Sequence, residues 1–152
     1  MLKIFLDTEF TNFLDTELIS IGMVAASGEE IYAEVPYPDH QCSAFVREAV
    51  IPQLNDYPNA FVCKPQVQRH ILDWLRVIRP SGEDLQICYD YDTDWALFVD
   101  ALNGSIPEWV TPLNVGADSN ILLHFNFFKH TGLPEHHALY DARALYYSYR
   151  PK

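Results

Sequence analysis

Apolar and polar positions alternate with a period of two at the start of this chain and with a helical period afterwards. Residues 2–6 (LKIFL) form a short apolar run rich in strand formers, and 18–25 (LISIGMVA) form a second. Ser27-Gly28-Glu29 predicts a turn, after which 30–35 (EIYAEV) alternates as a half-buried strand does. The short links predict an antiparallel meander, ended by Pro36 and Pro38. Residues 45–54 then place Val46, Ala49 and Val50 on one side of a helix, with Pro52 stopping or bending it. Within 65–78, Val67, Ile71, Trp74, Leu75 and Ile78 make one stripe of an amphipathic helix, with Pro65 in its first turn. Pro80-Ser81-Gly82 breaks that helix, and 85–89 (LQICY) reads as a fourth strand. Helices are expected over 94–102, from a cap at Asp118 or Ser119 to Gly132 and Pro134, and over 138–149.

The order βββααβααα predicts an α/β architecture: a mixed sheet, built from the three-strand meander plus added strands, flanked by helices. Three local strands with a later strand laid beside the first is the pattern of an RNase H-like fold. The 152 residues suit a single domain over 1–152. No apolar run approaches the roughly 20 residues that span a bilayer, and the stretch before Asp7 is too short for a signal peptide. No membrane association and a cytoplasmic location are therefore expected. Cys42, Cys63 and Cys88 show no CxxC spacing, which argues against a disulfide framework or a zinc site. The net charge of −11 comes without any basic stripe, so extensive gripping of a duplex is disfavoured. A small site in which divalent cations supply the positive charge remains compatible with nucleic acid.

Acidic residues gather where the strands end. Asp7 and Glu9 are two apart on a strand, so both carboxylates project from one face, which is costly unless a cation sits between them. The same tripeptide recurs as Asp15-Thr16-Glu17, but there it precedes a strand and falls in a solvated connection. Asp90, Asp92 and Asp94 crowd one strand-to-helix junction, where capping needs a single aspartate. Asp94 shares a helical stripe with Leu97, Phe98, Ala101 and Leu102, so its burial calls for a partner or a metal, whereas Asp90 and Asp92 belong to the extension of the strand. Asp141 lies on the face of the last helix that carries Ala138, Ala142 and Leu145, pointed at a packing surface.

Phe5-Leu6-Asp7-Thr8-Glu9-Phe10, the strand Glu17-Leu18-Ile19-Ser20-Ile21-Gly22, Asp94-Trp95-Ala96-Leu97-Phe98 and His136-x-Ala-x-x-Asp141-Ala together resemble the DEDDh 3′-to-5′ exonucleases. The likeness runs over nearly the whole chain, and Phe45-Val46-Arg47-Glu48 with Pro52-x-Leu54 is similar to their small single-domain bacterial and phage exoribonucleases. The resemblance implies a metal-dependent hydrolase releasing 5′-mononucleotides. Asp7, Glu9, Asp94 and Asp141 would hold two Mg²⁺ or Mn²⁺ ions about 4 Å apart, with Asp90 and Asp92 competing for the place of Asp94. His136 would be the general base, a role suited to an imidazole. Helical spacing alone favours His137, four residues before Asp141. Pro134 and Glu135 instead place the helix start near His137 or Ala138, leaving His136 on a loop above the site. Thr8 and Phe10 are expected to contact substrate, Phe10 by stacking on the terminal base, and this requires the strand to bend after Glu9. The partner implied is the 3′ end of single-stranded or 3′-overhanging RNA. Single-stranded DNA is the alternative substrate, and an inactive nucleic-acid-binding module the alternative class. A homodimer through Tyr146, Tyr147 and Tyr149 is a further expectation, opposed by the reading that these rings pack the last helix on the sheet.

Overall fold

Residues 1–151 are described by a computed structural model. The meander forms as the pattern predicts: β1 (Leu2–Phe10), β2 (Leu18–Ala25) and β3 (Glu30–Glu34) pair antiparallel. β4 (Leu85–Tyr89) and β5 (Val110–Asn114) add parallel strands, giving the order β3-β2-β1-β4-β5. β1 thus lies at the centre, and it runs on through Asp7 and Glu9. Residues of β1 alternate between two layers. Ile4 and Leu6 face the main core with α2 (Lys64–Ile78) and α3 (Asp92–Ala101), through Val67, Ile71, Leu75, Leu97 and Phe98. Phe5 faces the opposite layer, where it meets Leu145 of α5 (Ala138–Ser148). By the same alternation Thr8 belongs to the α3 side, while Asp7 and Glu9 belong to the α5 side.

The expectations about helices need three corrections. α3 begins at Asp92, two residues before the expected start, so Asp92 as well as Asp94 lies in its first turn. α4 (Ile121–Thr131) is capped by neither Asp118 nor Ser119. Asn120 takes that place, its side-chain oxygen accepting the N–H groups of Leu122 and Leu123 at 3.0 and 3.1 Å. Gly132, with φ of 69°, closes α4 as expected, in the left-handed conformation that glycine adopts without strain. α1 (Ala44–Ala49) is short, and Pro52 turns the chain into the single 3₁₀ turn Ile51–Gln53.

β5 was not expected, because Pro112 interrupts its run. As an edge strand it pairs only with β4, so a missing N–H is tolerated there. Trp74, Trp95 and Trp109 pack against the main core. Tyr146 and Tyr149 pack as tilted rings against Phe5 at 4.9 and 5.4 Å, which ties α5 to the sheet. Cys42 and Cys88 are buried thiols and Cys63 is exposed, with no bond between them. Among the described residues, no helix is long and apolar enough to cross a membrane.

Candidate active site

The C-terminal half of β1, the end of β4 and the first turns of α3 and α5 converge on one cleft of about 290 Å³. That is the lower end of the ~300–1,000 Å³ typical of ligand pockets, room for a terminal group but not for a duplex. Its polar wall is made by Asp7, Glu9, Asp90, Asp94, Asp141 and His136.

Each carboxylate arrives by a separate structural cause. Asp7 and Glu9 come from alternate positions of β1. Asp90 follows from the parallel register: Phe5 pairs with Cys88, so two further residues on each strand bring Asp90 beside Asp7. Asp94 comes from the buried stripe of α3. It is held there by Thr8, whose hydroxyl and N–H donate to its Oδ1 at 2.6 and 3.1 Å. Asp141 comes from α5, which lies close to the sheet because Gly22 has no side chain. A Cβ at Gly22 would fall 2.4 Å from the backbone of Ala138 and Leu139. Gly22 pairs with Asp7 across the β1–β2 ladder, so this close approach occurs directly beside the site.

Two sets of ligand-capable atoms result, each within 4.8 Å of one another: Asp7, Asp90 and Asp94, and Glu9, Asp141 and His136. Gathering five carboxylates in one small cleft has a clear electrostatic signature. Burial, then the charges of Asp94, Asp141, Glu9 and Asp90, push the Asp7 carboxyl well above the usual carboxylate range. Burial raises Glu9 to about 9, with the charge of the neighbouring Asp141 carboxylate pushing the same way. Burial also raises Asp94 and Asp141 to about 7, against the hydrogen bonds from Thr8 and from the His136 N–H that favour their charged forms. Asp90 is raised by burial as well. Asp7 Oδ2 is a buried oxygen with no hydrogen-bond partner, so its acceptor capacity is unmet within the protein. Hard oxygen donors in this number, with one left unpartnered, suit divalent cations.

The remaining expected residues separate clearly. Asp92 lies outside the cluster, where its carboxylate accepts from the Asn114 side chain at 2.9 Å. Asp15 is exposed, and Glu17 pairs with Lys64 at 3.3 Å on the surface. His136 stands on the loop before α5 and reaches Glu9 and Asp141, while its backbone N–H donates to Asp141 Oδ2 at 2.9 Å. His137 is the residue preceding α5, and its ring is stacked between Tyr32 and Tyr140 at 4.5 and 3.9 Å. Burial, with the charge of Arg143, lowers its pKa to about 4. Thr8 lines the cleft but is buried, with its hydroxyl committed to Asp94. The register does shift between Glu9 and Phe10, and Phe10 turns into the cleft with Phe13 and Phe45. Phe10 and Phe13 meet edge to face at 5.1 Å, and Phe45 meets the His136 ring at 4.8 Å. Phe13 and His124 of the cleft wall were not singled out from the sequence, Phe45 was noted there only within a motif, and Asp90 only as a rival for the place of Asp94. That Asp90 joins Asp94 instead of replacing it required the strand register. The two phenylalanines required the knowledge that loop 11–17 and α1 fold over the strand end.

No protein-family model matches this chain, and no curated protein does. Solved structures share its fold. The nuclease domain of 3′hExo, a DEDDh family member bound to rAMP, matches with a TM-score of 0.56 at 16% identity, over 94% of this chain and 86% of that one. A structure showing 3′-end specific recognition of histone mRNA stem-loop by a 3′-exonuclease matches with a TM-score of 0.56 at 16% identity, over 94% of this chain and 60% of the other. Cell-death related nuclease 4 (CRN-4) matches with a TM-score of 0.56 at 13% identity over 94% of this chain, which again spans 60% of the longer protein. The chain therefore has the RNase H-like α/β fold found in DEDDh nuclease domains.

Proposed function

We propose that this chain is a divalent-metal-dependent 3′-to-5′ exoribonuclease that hydrolyses the terminal phosphodiester of single-stranded or 3′-overhanging RNA and releases 5′-mononucleotides. The observation that supports this most is the meeting of Asp7, Glu9, Asp94 and Asp141 from three separate elements around one small cleft, with His136 at its rim. Those four carboxylates, joined by Asp90, would hold two Mg²⁺ or Mn²⁺ ions. Two such ions, when bound, would make a water nucleophilic near neutral pH and offset charge on the phosphate and the leaving 3′ oxygen. Thr8 keeps the Asp94 carboxylate aimed at the cleft. His136 accepts the proton of the attacking water, from a loop position that faces the carboxylates rather than supporting them from beneath. Phe10, Phe13 and Phe45 form an apolar slot beside the carboxylates, suited to the face of a terminal base.

The small cleft and the net charge of −11 favour a strand held by its end over one held along its length. RNA is preferred over DNA because the structural neighbours include one bound to rAMP and one recognising a histone mRNA stem-loop. Incubating matched labelled RNA and DNA single strands with Mn²⁺ tests this reading. Mononucleotide release from RNA at the higher rate supports it, and release from DNA alone assigns the alternative substrate. Binding without release identifies an inactive binding module.

A further inference from the structure

Gln53 takes no part in the carboxylate cluster, yet its side chain is tied to the loop that carries His136. It ends the 3₁₀ turn after α1, with its Nε2 anchored to the Ala49 carbonyl at 2.9 Å. The same nitrogen donates to the Glu135 carbonyl at 2.6 Å and lies 3.3 Å from the His136 carbonyl. Its Oε1 is buried without a partner, so the amide serves here as a donor only.

His136 has a φ of 64°, a left-handed conformation that side-chain-bearing residues rarely adopt and that persists only where neighbours enforce it. Two contacts enforce it. Asp141 holds the N–H side of the residue, and Gln53 holds the carbonyls on either side of that N–H. Relaxing the residue to an ordinary backbone conformation would swing its ring away from Glu9 and Asp141. Phe45, on the same α1 segment, steadies the ring at its edge.

We infer that Gln53 is a positioning residue for His136, joining the α1 turn to the loop and holding the imidazole over the carboxylates. This rests on the reading of His136 as proton acceptor. A double-mutant cycle on RNA turnover with Mn²⁺ tests it, using Gln53→Met, which keeps length and volume, and His136→Ala. Gln53→Met alone is expected to lower kcat by roughly 10²-fold, as a displaced catalytic group does, with KM and calorimetric Mn²⁺ affinity unchanged. In the His136→Ala background the same change is expected to cost less than about twofold, because coupled residues are not additive. Gln53→Lys, which retains a donor of similar reach, is expected to recover part of the loss. A wild-type rate in Gln53→Met, or an equal loss in both backgrounds, would overturn the inference while leaving His136 as base. Wild-type turnover in His136→Ala would instead remove the base assignment, and the role of Gln53 with it.

Discussion

Adjacent histidines with opposite environments make the assignment of the base testable one residue at a time. His136→Ala is expected to lower turnover by roughly the 10²–10⁴-fold that a general base supplies, with Mn²⁺ binding retained. His137→Ala is expected to keep near-normal turnover and to lower Tm, since it removes a ring stacked between Tyr32 and Tyr140. Steady-state kinetics and thermal melts on the two variants separate these outcomes, and the reverse pattern would exchange the roles. The aspartates divide in the same way. Asp94→Asn is expected to abolish activity and Asp92→Asn to preserve it, because only the first carboxylate faces the cleft. Asp7→Asn is also expected to be inactive. It should nevertheless raise the Tm of the metal-free protein by about 2–4 °C per kcal/mol of repulsion relieved, since four neighbouring carboxylates oppose its charge.

At the scale of elements, the critical contact is the crossing of α5 over β2. Gly22→Ala is expected to push the first turn of α5 off the sheet, because a Cβ there meets backbone that cannot rotate aside. Overpacking of this kind costs about 1–3 kcal/mol, and it would displace Asp141 and the His136 loop together. Turnover should therefore fall further than the change in Tm alone would suggest, and comparing kcat with Tm in this variant checks that. The alanines at 138 and 142 already signalled a close helix–sheet approach, but the glycine opposite them could be matched to them only in three dimensions. The meander, the α2 stripe and the start of α5 were legible because hydrophobic periodicity there agrees with the punctuation of Pro and Gly. β5 was not, since Pro112 conceals an edge strand. Asp7, Glu9, Asp94 and Asp141 were legible from their faces and from motif order. Asp90 was legible only as a rival to Asp94, because its place beside Asp7 depends on the parallel β1–β4 register, a long-range pairing that local pattern does not encode.

For the molecule as a whole, the site concentrates the cost of a strongly acidic chain at one place. Carboxyls that titrate near 4 in an unfolded chain are raised to about 7 at Asp94 and Asp141 and about 9 at Glu9. Raised carboxyls favour the folded state while protonated, so their contribution to stability of the metal-free protein should be full below about pH 4 and decline above it. It should fall as pH rises through about 7 and on toward 9, as the folded state is forced to ionise. Divalent cation should reverse the trend, with a small rise in Tm at pH 5 and a large one at pH 8, and melts in EDTA and in Mn²⁺ across that range measure both. The most direct test of a two-metal 3′ exonuclease follows a 5′-labelled single-stranded RNA with Mn²⁺ through time, for the wild type and for Asp7→Asn. The expected result is a ladder shortening from the 3′ end with 5′-mononucleotides released, absent in EDTA and absent in the variant. Internal cleavage, release that persists in EDTA, or equal rates in Asp7→Asn would contradict it.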